Sequence, residues 1–192
     1  MEVTAERFYS RSGIHPKKFA LLLACASMVM MFAGLTSAYL VRQAAGNWLE
    51  FQLPVIFAVS TGIILMSSIF LHTSYRSFCS GAMSRYRWTL AVATLLGVVF
   101  LVLQYQGWLA LERIGIELST NPSGSFVYAI SGIHAAHVLG GIAALLVALL
   151  HAFSLPYKVT EQRKLRFELT LIYWHFVDLL WVYLFVFLLM QR

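Results

Sequence analysis

The sequence predicts an all-α protein threaded five times through a membrane, with its amino terminus in the cytoplasm and its carboxyl terminus on the periplasmic side. Three observations carry this reading. Of the 192 residues, 60% are hydrophobic and only 11% charged, and the mean hydropathy is +0.76, outside the range of a soluble domain. The apolar residues are gathered into five helix-length stretches. The basic residues fall almost entirely on alternate connections between them.

A helix needs about 20 predominantly apolar residues to cross the hydrocarbon core, and the stretches 19–41, 54–72, 89–109, 126–151 and 169–190 meet or nearly meet that length. Ahead of the first, residues 1–18 carry Glu2, Glu6, Arg7, Arg11, Lys17 and Lys18 with no apolar core or small-residue cleavage site. They are expected to form a cytoplasmic arm, not a secretory signal. Pro54 opens the second span, where its missing N–H costs nothing. Gln104, Tyr105 and Gln106 near the outer end of the third are expected to be interfacial hydrogen-bonding groups. Asn121-Pro122-Ser123-Gly124 reads as a loop before the fourth span, and Pro156 as its end. Glu168 stands at the cytoplasmic edge of the fifth. With no internal repeat or low-complexity tract, residues 19–192 form one domain.

Orientation follows from the distribution of Lys and Arg. Four lie in the amino-terminal arm, three in the connection 73–88 and four in 154–168, whereas the opposite side receives only Arg42, Arg113 and Arg192. The positive-inside rule therefore places the amino terminus in the cytoplasm. The net charge of +6 is explained by retention beside anionic headgroups, so no nucleic-acid partner is expected. Cys25 and Cys79 have no metal-ligand spacing and are not expected to pair. Trp48, Trp88, Trp108 and Tyr157 sit near span ends, as aromatic belts do, and His72 and His151 are expected to be solvated at the interface. Met28, Met30 and Met31 read as apolar filler.

The functional information lies where polar groups sit at membrane depth. A mid-helix Asp costs on the order of 3 kcal/mol to insert, so such groups face a bundle interior and take partners. His134 and His137 on the fourth span and His175 and Asp178 on the fifth are the principal cases. At about 1.5 Å per residue, His137 lies roughly 17 Å below the outer end of its span and Asp178 roughly 18 Å below the outer end of its own. An Asp178 to His137 hydrogen bond or ion pair is thus expected between antiparallel neighbours, within a structural polar cluster of His134, His137, His175 and Asp178. Haem b held between facing histidines, a proton relay and a polar cleft facing lipid headgroups or a catalytic partner are the sharper alternatives. A two-haem, bis-His arrangement wants a histidine pair on each of two helices, and the fifth span offers only His175. Gly132, Ala136, Gly140 and Ala144, four apart, form a small-residue stripe expected to pack against a helix of the same chain more often than against another subunit.

Two segments carry a resemblance: Ser131-Gly132-Ile133-His134-Ala135-Ala136-His137-Val138-Leu139-Gly140-Gly141 and Tyr173-Trp174-His175-Phe176-Val177-Asp178-Leu179-Leu180-Trp181. They resemble the last two helices of subunit III of haem-copper oxidases, with Ser131 where the family usually has Thr and with Tyr173, Trp174, Phe176 and Trp181 among the motif positions. Phe32-Ala33-Gly34 through Tyr39-Leu40 is similar to the family's first helix in its short, five-span form. One position departs from the pattern: Ser27 is followed by Met28 where the family usually has a membrane-embedded Glu.

The resemblance implies a non-catalytic core subunit of a bacterial cytochrome c or quinol oxidase in the inner membrane. It packs on subunit I, in company with subunit II, within a complex that reduces oxygen and pumps protons in aerobic respiration. It implies haem and copper in those partner subunits, no metal or catalytic residue in this chain, bound phospholipid, and room for membership of a larger respiratory supercomplex. An accessory subunit of a nitric oxide reductase and a haem b electron-transfer subunit using His137 and His175 remain as alternatives. A small transporter is disfavoured because no span is broken near the midplane.

Overall fold

Five helices make up the fold: α1 Pro16–Ala44, α2 Val55–Cys79, α3 Met83–Arg113, α4 Pro122–Ser154 and α5 Glu161–Met190. This computed structural model describes residues 15–118, 121–154, 157 and 159–191, and among these no strand occurs. All five helices are long and apolar enough to cross a membrane. The expected arm over 1–18 falls outside the described residues as far as position 14, and Pro156 is also outside them.

The helices overrun the predicted spans because local capping extends them. His15 accepts the amide of Lys17 at the start of α1, with Pro16 in the first turn where its absent N–H is no loss. The connection 73–88 is mostly helical: α2 continues to Cys79, α3 begins at Met83, and Gly81 turns the chain at φ +82°. There the amide of Ala82 donates to the carbonyl of Ser77 at 3.1 Å, a local closure of the helix end that satisfies one of its orphan carbonyls. The stretch read as a loop at 121–124 is instead the first turn of α4. Asn121 Oδ1 accepts from the amide of Ser123 at 2.9 Å and from its hydroxyl at 2.8 Å, which makes Asn121 the cap and Pro122 the first helical residue.

α2 and α3 form an antiparallel hairpin with the most extensive packing in the molecule, and α3 against α4, α4 against α5 and α5 against α2 close a ring of four helices. α1 stands outside the ring against α4 and α5. It is the least covered helix, with 17% of its most apolar window buried, against 39% for α5. The hairpin is tied by small hydroxyls that allow close approach of the helices: Ser67 Oγ donates to the carbonyl of Ala93 at 2.8 Å and Ser74 Oγ to that of Tyr86 at 3.0 Å. Gln104, expected at the interface, is instead buried, and its Nε2 donates to Ser60 Oγ at 3.0 Å. Tyr105 and Gln106 are exposed, as surface groups of α3. Cys25 and Cys79 are both free thiols.

Candidate functional site

The motif residues of α5 face three directions, and that division organises the site. Trp174, Val177, Asp178 and Trp181 turn into the ring and are buried, whereas Tyr173 and Phe176 are half-buried and His175 lies on the α2 side. The spacing from 174 through 177, 178 and 181 is that of one helical face.

Trp174 is the wedge of the ring. A Cβ placed on Gly97 of α3 would come within 2.7 Å of its Cη2, and one placed on Gly141 of α4 within 2.9 Å of its Cε3. Both glycines are therefore there because no side chain fits between the helix backbone and the indole. Trp181, two turns farther along, donates its Nε1–H to Thr61 Oγ1 at 2.9 Å while the Thr61 hydroxyl donates to the carbonyl of Phe57 at 2.7 Å. That chain of bonds fixes α5 against α2.

His134 is fully buried, stacked on Trp181 with ring centroids 5.0 Å apart and planes 29° from parallel. Phe100 and Phe32 meet it edge-on at 6.2 and 6.3 Å, and neither ring nitrogen has a hydrogen-bond partner. An aromatic box holds this imidazole as a flat, polarisable ring. His137, the next histidine on α4, is half-buried, and its Nδ1 donates to the carbonyl of Ile133 in its own helix at 2.8 Å. Its ring meets Phe32 of α1 at 5.8 Å, and its carbonyl accepts the hydroxyl of Tyr173 at 3.0 Å.

The expected Asp178 to His137 pair is not formed. Asp178 is buried with both carboxylate oxygens unpartnered, while His137 is turned towards α1. Equal depth was necessary for the pair, but rotation about the helix axes decides it, and Asp178 points into the ring. His175 is likewise separate from the other histidines of the motif. Its Nδ1 is hydrogen-bonded to Ser68 Oγ of α2, and its ring lies 5.9 Å from that of His72, also on α2. His137 and His175 thus sit on opposite flanks of α5, towards α1 and α2, an arrangement unsuited to gripping one haem between them. The four polar residues do not hydrogen-bond to one another: His175 bonds to Ser68 of α2, His137 to its own helix, and His134 and Asp178 are buried without a hydrogen-bond partner.

Of the small-residue stripe, Ala136 and Gly140 are exposed and Gly132 and Ala144 half-buried. The closest approach at Gly140 is Tyr173, 3.6 Å from where a Cβ would stand. The tight seam of the bundle instead passes through Gly141 and Gly97. Gly97, one of two glycines in α3, was the available sign of it. The sequence reading also missed Ser131 as a bridge: its hydroxyl accepts the Trp108 indole N–H at 2.9 Å and donates to the carbonyl of Val127 at 2.5 Å.

At the end of the bundle where Lys18 lies, Glu168 takes an ion pair from Lys18 of α1 and a hydrogen bond of 2.7 Å from the hydroxyl of Tyr75 of α2. At the other end, Tyr183 of α5 and Thr36 of α1 share a 3.0 Å hydrogen bond. Among the described residues no three His, Cys, Asp or Glu side chains converge as metal ligands.

Five helices, each long and apolar enough to cross a membrane, with polar residues buried among them, define a polytopic membrane protein. The family described as cytochrome c oxidase subunit III matches residues 10–191, and the chain belongs to that family. It is similar to a cytochrome c oxidase subunit 3 of Corynebacterium diphtheriae, 33% identical over 166 residues that cover 82% of this chain and 80% of that protein. A probable cytochrome c oxidase subunit 3 of Nocardia farcinica is 28% identical over 186 residues, covering 94% and 90%. The rabbit (Oryctolagus cuniculus) cytochrome c oxidase subunit 3 is 27% identical over 183 residues, which span 88% of this chain but 67% of the longer rabbit protein.

Proposed function

We propose that this chain is subunit III of a bacterial haem-copper terminal oxidase, a core subunit of the cytoplasmic membrane that packs on the catalytic subunit I beside subunit II and supports oxygen reduction coupled to proton pumping. The family match over residues 10–191 carries the reading. The geometry is consistent with it, because the four polar side chains do not converge and His137 and His175 face different neighbours, Phe32 of α1 and Ser68 of α2. The haems and copper belong to the partner subunits. The basic connections, gathered at one end of the bundle, favour a cytoplasmic amino terminus and a periplasmic carboxyl terminus.

Phospholipid is a further ligand within this reading. A cavity of about 330 Å³ opens between α4 and α5 at the basic end, with Ala144, Val147 and Ala148 along its wall and His151, Arg163 and Arg166 at the rim. An apolar channel ending in cations at headgroup depth suits an acyl chain and its phosphate.

Gentle purification of the tagged chain tests the assignment. The expected outcome is co-purification with a polypeptide carrying two haems and copper, and a reduced-minus-oxidised spectrum that His137→Ala leaves unchanged. A chain recovered alone, with its own haem bands abolished by His137→Ala, overturns it.

A further inference from the structure

A line of polar side chains runs inward along the seam of α2 and α5 from the end where Lys18 lies. At its mouth Tyr75 of α2 donates to Glu168 of α5, which is also paired with Lys18. One turn farther in stands His72, exposed, and across the seam its ring lies 5.9 Å from that of His175, which is half-buried. His175 Nδ1 is hydrogen-bonded to Ser68 Oγ, one turn beyond His72 on α2. The same hydroxyl is the hydrogen-bonding side chain that acts on Asp178, one turn beyond His175 on α5, although the two are not bonded in this conformation. Asp178 is 3% exposed, so the members pass from open to enclosed in order. A carboxyl that served to join helices would be hydrogen-bonded, and this one is not.

The three inner groups suit proton transfer. A serine hydroxyl accepts one hydrogen while giving up its own, and an imidazole accepts at one nitrogen and donates at the other. With Asp178 as the neutral acid, the form that unpaired burial favours, rotation of its side chain brings the O–H to Ser68 Oγ. The Asp178 O–H and the original Ser68 O–H then break as a new Ser68 O–H and an Nδ1–H on His175 form. A carboxylate and an imidazolium result, with no change in total charge. His175 gives up its Nε2 proton towards His72, the exposed member, and the water beyond it. The line ends at Asp178. The next buried polar group on that face is Trp181, whose indole N–H donates to Thr61 and cannot accept, and His134 of α4, stacked on Trp181, has no hydrogen-bond partner.

We infer that Asp178 is a proton-storage site inside the bundle, filled and emptied from the basic end through Ser68, His175 and His72, on a blind branch that does not cross the membrane. This concerns the chain's own residues and does not depend on the assignment to an oxidase.

Infrared spectroscopy of the purified protein in heavy water tests the inference. The wild type is expected to show a carbonyl band of a protonated carboxyl that Asp178→Asn removes, and that band is expected to shift as its proton exchanges for deuterium. Ser68→Ala is expected to slow the exchange about tenfold or more, whereas Ser68→Thr, which keeps a hydroxyl, retains the wild-type rate. His175→Phe interrupts the line at its next member and is expected to slow exchange likewise, so the test survives if one of these variants fails to fold. The inference is overturned if Asp178→Asn removes no such band, if the wild-type band does not exchange, or if a folded Ser68→Ala or His175→Phe protein exchanges at the wild-type rate.

Discussion

The imidazole of His134 lies stacked on the indole of Trp181, 5.0 Å between centroids, and no atom of the ring is hydrogen-bonded. A histidine buried as an aromatic plate explains why a polar residue sits in the middle of α4 without a polar partner. Replacement by Phe retains the stack with Trp181 and the edge contacts of Phe100 and Phe32, and removes two buried unsatisfied nitrogens. His134→Phe is therefore expected to match or exceed the wild type in thermal stability in detergent, and His134→Ala to lose about 2 to 4 kcal/mol through the cavity it opens. A His134→Phe protein that fails to assemble would show that the ring nitrogens have a partner in the complex.

The wedge formed by Trp174 predicts a coupled pair of substitutions. Gly97→Ala sets a methyl 2.7 Å from the indole and is expected to cost about 1 to 3 kcal/mol. Trp174→Phe removes the obstructing atoms, so the double variant should be less damaged than the two single effects added together. A thermal-denaturation cycle measures the coupling, and strict additivity would mean that the indole moves aside freely.

Among the described residues no basic side chain pairs with Asp178. Removing its charge at constant shape is then a gain or a small change, because an unpaired buried carboxylate is a burden on the fold. Asp178→Asn should retain the stability of the isolated subunit. A marked loss of co-purifying oxidase with normal subunit stability would instead identify Asp178 as a contact of a partner group.

The Lys18 ion pair with Glu168 is partly exposed, 33% and 21% at the two side chains, so its contribution is modest. Glu168→Gln is expected to cost at most about 1 kcal/mol and to loosen the first turns of α1 without changing the other helices. Hydrogen exchange of the amides from Phe19 onward checks this, and unchanged protection there would refute it.

Much of the fold was legible in the sequence because hydropathy dictates it: a stretch such as 54–72 has no stable place except across a membrane. The helix ends were not, since Asn121 and Gly81 act through one or two hydrogen bonds that hydropathy does not register. The site was legible in its residues and less so in their pairings. Depth, which counts residues along a helix, correctly put Asp178 level with His137, but rotation depends on which neighbour each face meets. His137 turned to Phe32 of α1, which the arithmetic of α4 and α5 alone did not contain. The stripe of Gly132, Ala136, Gly140 and Ala144 shows the same limit, since periodicity found a smooth face and the steric demand of Trp174 placed the tight contact one residue over, at Gly141.

Only Ser80, Gly81 and Ala82 separate the last turn of α2 from the first turn of α3. So short a bend leaves the two rods no freedom to part, and Ser67 and Ser74 stitch them along their length. Residues inserted at Ser80–Ala82 should therefore loosen this pair before any other contact of the bundle.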